Sequence, residues 1–111
     1  MIKLAPSPIF TLKLVLRPPG ESKGHPFELT CRHLGRARLA EWSARAMAAG
    51  ADDLASLLEV VTGWKGVADA DGVEAPFTPE AFGALLDAYP GAALMIFGDY
   101  LRELSEARVK N

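Results

Sequence analysis

The chain has 111 residues, half of them apolar and 23% charged, with a formal net charge of −2. That length suits one domain, residues 1–111, and the composition is that of a folded globular chain rather than a disordered one. No apolar run approaches the ~20 residues that a membrane-spanning helix needs, and the single cysteine, Cys31, excludes an internal disulfide and suits a reducing compartment. The charge is unevenly spread. Residues 1–49 carry eight Lys or Arg against three Glu, a net +5, while residues 50–111 carry four against eleven Asp or Glu, a net −7. Such asymmetry suits complementarity within the chain or head-to-tail association between copies, which salt would weaken.

Residues 1–8 read as a mobile lead-in: Pro6, Pro8 and Lys13 break the apolar run that follows Lys3, and no signal-peptide cleavage site follows. From Ile9 to Arg17 the pattern alternates, with Phe10, Leu12, Leu14 and Leu16 on one face and Thr11, Lys13 and Arg17 on the other. This predicts a half-buried strand. Residues 18–24, Pro-Pro-Gly-Glu-Ser-Lys-Gly, cannot continue a ladder and predict a loop. Phe27, Leu29 and Cys31 alternate with Glu28, Thr30 and Arg32, completing an antiparallel hairpin over 9–32 whose apolar face needs a cover of helices.

From Leu34 the period becomes helical. Gly35, Leu39, Trp42, Ala46 and Ala49 share a face, Glu41 precedes Arg45 by four residues as an ion pair would, and Gly50 ends the helix. Asp52 caps a second helix with the stripe Leu54, Leu57, Leu58, Val61, ended by Gly63 and Gly66. Residues 64–77 predict a polar loop with a tight turn at Asp71-Gly72. Thr78-Pro79-Glu80 is a helix start, followed by the stripe Phe82, Leu85, Leu86, Tyr89. Pro90 turns the chain into a last helix with Leu94, Phe97, Leu101 and Leu104 on one side and Asp99, Arg102, Glu103 and Glu106 on the other. Arg108 and Lys110 suit the negative end of that helix.

The sum is an α+β fold: an N-terminal antiparallel β-hairpin packed against about four amphipathic helices, the last two forming an antiparallel hairpin around Pro90.

Candidate chemistry is sparse. Cys31 and His33 are two apart, as a thiolate–imidazole pair on a strand would be, yet Cys31 continues the apolar row of Phe27 and Leu29. His25, Cys31 and His33 do not have the spacing of a tetrahedral metal site. Asp69-x-Asp71-Gly72 with Glu80 at position twelve imitates a calcium loop, but Val73, Glu74 and Pro76 stand where that loop needs a ligand, a glycine and an open chain. Arg32, Arg36, Arg38 and Arg45 could line a phosphate backbone, although Glu41 interrupts them and no groove-reading motif accompanies them. Neither a phosphate-binding glycine loop nor a hydrolase or zincin motif is present. The residues therefore predict a binding protein, not an enzyme, with no catalytic residue, metal or cofactor. Trp64 and Phe77 bracket the polar loop as anchors to the core or as an exposed patch. With Phe97, Tyr100 and Leu101 of the last helix they form the predicted partner-binding set.

From Trp64 onward the chain resembles the bacteriophage tail assembly chaperones of tailed phages and prophages. The resemblance lies in Trp64-Lys65-Gly66-Val67, Asp71-Gly72, Pro76-Phe77-Thr78-Pro79-Glu80 and Leu85-Leu86-Asp87-Ala88-Tyr89-Pro90, then in the amphipathic final helix and the Lys110-Asn111 end. It covers roughly half the chain; the strands before it match in style more than in residues. It implies a factor in the host bacterial cytoplasm that holds the long, helical, aggregation-prone tape measure protein during tail assembly. It further implies the tail tube protein as a second partner and absence from the finished virion. Two other readings stand beside it: a structural phage adaptor such as a head–tail connector, and a small nucleic-acid-binding regulator acting through Arg32–Arg45.

Overall fold

The computed structural model describes residues 1–106. Two strands begin it, β1 (Ile9–Leu16) and β2 (His25–Arg32), paired antiparallel from Ile9 opposite Arg32 to Leu16 opposite His25. Their alternation does what it predicts. Leu12, Leu14, Phe27, Leu29 and Cys31 are buried, while Thr11 and Lys13 face solvent. Between the strands, the Glu21 N–H donates to the Pro18 carbonyl across Pro19 and Gly20, the latter at φ +84°. Proline second and a positive-φ glycine third are what a type II turn requires.

Helix α1 (Arg36–Ala46) buries Trp42 and Ala46 and lies on α2 (Asp53–Leu58), which follows with its N–H of Ala55 capped by the Asp52 carboxylate. Two expectations change here. Arg45 does not pair with Glu41 one turn back; it reaches Glu59 at 2.9 Å beyond the end of α2. The second helix also stops at Leu58 instead of running through Val61. The chain turns there, and Val61–Lys65 forms a third strand, β3, antiparallel to β2 with Leu29 opposite Trp64 and Cys31 opposite Val61. The β-branched run Val60-Val61-Thr62 favours extended backbone. As a strand it also satisfies the second edge of β2, with Val61 buried at its start and Val60 buried in the turn before it. The hairpin is thus two-thirds of a three-stranded sheet in the order β1-β2-β3, with a bulge between Thr30 and Cys31.

The predicted loop over 64–77 therefore starts inside the sheet. Its remainder folds back on itself through a bridge between Ala68 and Glu74. The Gly72 N–H donates to the Asp69 carbonyl, and Gly72 takes φ +79°, so the Asp71-Gly72 turn is where the sequence places it. The Asp69 carboxylate accepts from the N–H groups of Asp71 and Val73. What imitates a calcium loop is an Asx turn.

Helix α3 (Pro79–Ala88) starts with the Thr78 hydroxyl accepting from the Ala81 N–H, and α4 (Ala92–Ser105) follows after Pro90 and Gly91. The chain bends by 109° between these helices, so they cross instead of forming the expected antiparallel hairpin. Each follows its own stripe: α3 lies on α2, and α4 crosses α2 and β1. The buried line of α4 runs through Ala92, Ile96 and Tyr100, with Phe97 beside it. That rotation leaves Leu94, expected inside, 75% exposed. Arg108 and Lys110 lie outside the described residues. One hydrophobic cluster joins both sheet and helices, from Leu12 and Leu29 to Leu57, Phe82, Ile96 and Tyr100. No single helix among the described residues is long and apolar enough to cross a membrane.

Candidate partner-binding surface

The aromatic side chains fall into two groups, and the predicted partner-binding residues divide between them. In the first, Trp42 meets Tyr100 edge-on with ring centroids 5.2 Å apart and Phe97 at 5.6 Å, while Phe10 of β1 stacks on Tyr100 at 5.9 Å. Trp42 and Tyr100 are large rings with polar tips, and both tips are satisfied. The indole N–H donates to the Ser56 carbonyl at 2.9 Å, and the Tyr100 hydroxyl donates to the Arg32 carbonyl at 2.7 Å. Burial pushes the Tyr100 phenol pKa well above its ordinary value, with Cys31 adding to the effect. Phe97 and Tyr100 thus sit inside the protein, and Leu101 next to them is half-buried.

In the second group Trp64 meets Phe77 edge-on at 5.2 Å and Phe82 at 6.2 Å. The Trp64 N–H donates to the Ala75 carbonyl at 2.8 Å, which fixes the returning limb of the loop against β3. Trp64 and Phe77 are half-buried, whereas Phe82 is fully buried beneath them. The structure therefore brings Trp64 together with Phe77, and Phe97 together with Tyr100, as two separate clusters. Sequence reasoning missed the third members. Phe82 and Trp42 were legible as core residues of their own helices, but nothing in the spacing says which other aromatic each would meet.

Next to the second cluster lies a depression of about 320 Å³ between the loop end of the hairpin and α3. Leu16, Phe27, Val67, Leu85 and Tyr89 line it, with Glu21 and His25 at its rim. Those two side chains meet at 2.7 Å. An apolar floor with a polar rim suits the apolar stripe of an amphipathic helix.

The residues considered for chemistry are placed otherwise. Cys31 is wholly buried in the sheet, and His33 lies beyond the end of β2, exposed. Burial pushes the Cys31 thiol up to about 12, so it stays protonated at neutral pH. Two results are expected. Iodoacetamide should leave Cys31 unmodified in the native protein and modify it in urea, as mass spectrometry would show. Because the folded thiol keeps its proton after an unfolded thiol at 9.0 has lost it, stability should fall as pH rises from 9.0 toward about 12. Rapid native labelling at neutral pH would contradict the buried position. No group of three or more His, Cys, Asp or Glu among the described residues could hold a metal ion. Arg32, Arg36 and Arg38 are exposed, while Glu41 and the Arg45–Glu59 pair break up the basic surface around them.

A family model described as phage tail assembly chaperone matches residues 1–111. No curated protein and no solved structure matches the chain.

Proposed function

Because the chain belongs to the phage tail assembly chaperone family, we propose that it holds the tape measure protein while a phage tail is built and leaves before the virion is complete. The match of the family model along the whole chain carries this reading. In this reading the chain works in the host bacterial cytoplasm, takes the tail tube protein as a second partner, and acts by binding instead of catalysis. The depression floored by Leu16, Phe27, Val67, Leu85 and Tyr89 supports it, since a long helical client offers repeated apolar stripes to such a groove. In this reading Trp64 and Phe77 hold the neighbouring loop in shape, and their half-buried rings extend the contact surface. Leu101 offers a second, smaller contact on α4, and Phe97 and Tyr100 act from inside by fixing the position of that helix.

Co-expression tests the proposal. The wild-type chain should raise the soluble yield of the tape measure protein encoded in the same phage genome, and mass spectrometry of purified virions should not detect it. Val67→Glu combined with Leu85→Lys should abolish the gain while circular dichroism shows the variant folded. An unchanged yield with the wild-type chain would refute the client assignment. Abundant chain in the virion would favour the structural adaptor.

A further inference from the structure

The outer edge of β1 pairs with no other strand among the described residues. The His33 N–H donates to the Pro8 carbonyl across the hairpin. In an antiparallel ladder, residues alternate between facing the partner strand and facing away. The backbone groups of the even-numbered residues of β1 therefore point at β2, and those of Ile9, Thr11, Lys13 and Val15 point outward. The opposite edge of the sheet is closed by comparison. There β3 is five residues long, lies beside a bulge, and is tied to the following segment by the Trp64–Ala75 and Gly66–Glu74 hydrogen bonds. Long edges that carry apolar side chains are templates for another strand. Ile9 and Val15 are 49% and 61% exposed on the solvent face of β1.

The strand's own sequence names the occupant. Two copies meeting antiparallel about a two-fold axis must pair residues of the same face, so the axis passes through a single residue. An axis at Lys13 sets two ammonium groups directly opposite each other, which is destabilising. At Thr11, Ile9 meets Lys13 and Val15 meets Ser7, and at Leu14, Val15 meets Lys13. An axis at Leu12 puts each Ile9 opposite the partner's Val15 and each Thr11 opposite Lys13. On the inner face Phe10 then meets Leu14. The charges agree with that register, because Arg17 of one copy falls opposite Ser7 of the other, in the depression that also holds Glu103.

We propose that the chain forms a two-fold symmetric dimer through β1, with the axis at Leu12, so that two three-stranded sheets join into one of six strands. Beyond Arg17 the chain leaves the strand at Pro18-Pro19, and Pro19 lacks the outward N–H that further pairing needs, which confines the contact to this strand. The dimer does not depend on the client proposed above. It also differs from a head-to-tail assembly driven by the charge asymmetry. Backbone hydrogen bonds and the Ile9–Val15 contacts hold it, so it persists when salt is raised, whereas an electrostatic assembly dissociates.

Sedimentation equilibrium of the full chain is the test. The wild type should show a concentration-dependent monomer–dimer equilibrium that raised salt does not abolish. Ile9→Glu alone and Val15→Lys alone should each weaken it at least about tenfold. The double variant I9E/V15K should recover most of the loss, because each introduced carboxylate faces an introduced ammonium only in the Leu12-centred register. Both positions are exposed, so circular dichroism should show folded monomers. Amide exchange of the wild type gives a second reading: the Thr11 and Lys13 N–H groups should gain protection as concentration rises. A wild-type monomer at all concentrations, wild-type affinity in V15K, or a double variant no better than the singles would each overturn the proposal.

Discussion

Replacing Trp42 by alanine is expected to destabilise the fold by about 3–5 kcal/mol, read as a fall in the urea midpoint at unchanged slope. The side chain is 2% exposed and fills the space between α1, α2 and α4. Alanine would leave a cavity beside Phe97 and Tyr100 and would take the indole N–H from the Ser56 carbonyl, which would keep only the longer bond from the Glu59 N–H at 3.3 Å. Since small domains have only about 5–15 kcal/mol of stability in total, the variant should be unfolded in a substantial fraction or close to it at 37 °C. Trp42→Phe separates the two causes. It keeps most of the ring and loses the donor, so its cost should be about 0.5–1.5 kcal/mol, near that of one hydrogen bond. Equal losses in both variants would mean that the hydrogen bond, not the packing, matters most.

Phe82→Ala should cost a similar amount, about 3–5 kcal/mol, and should also loosen a particular region. Phe82 is fully buried and supports both Trp64 and Phe77 from below. Without it, the edge-to-face pair loses its floor, and the segment from Gly66 to Phe77 should exchange its amide protons faster than the rest of the protein under native conditions. The Asp69 and Val73 N–H groups, which bond within the segment, are the ones to follow. Loss of stability with no local increase in exchange would show that Trp64, Phe77 and the Ala75 hydrogen bond hold the loop without help from α3.

Much of this architecture could be read from the residues, because its signals are local. Period-two alternation marks β1 and β2, and Asp52 and Thr78 mark helix starts by the oxygen each offers to the backbone. The third strand was hidden because Leu54, Leu57, Leu58 and Val61 fit a helical stripe until Val60 and Thr62 are weighed beside a sheet edge in need of a partner. Leu94 and the 109° bend were hidden for a related reason. A stripe fixes which residues of one helix share a side, but the rotation and crossing of α4 are set by α2 and β1, far away in sequence. The proposed binding surface was legible only in part. Trp64 and Phe77 could be paired as the two ends of one loop, whereas the depression beside them draws Leu16, Phe27, Val67 and Leu85 from four separate segments.

The hydrogen bond from Tyr100 to Arg32 spans 68 residues and ties α4 to the end of β2. On the ribosome, β1 and β2 emerge before the helices that cover them, with Leu12, Leu14 and Phe27 exposed until α4, which crosses β1, has followed. Until then the nascent chain carries an incomplete sheet with apolar side chains uncovered. The sheet of a nascent chain is therefore covered only once α4 has cleared the exit tunnel.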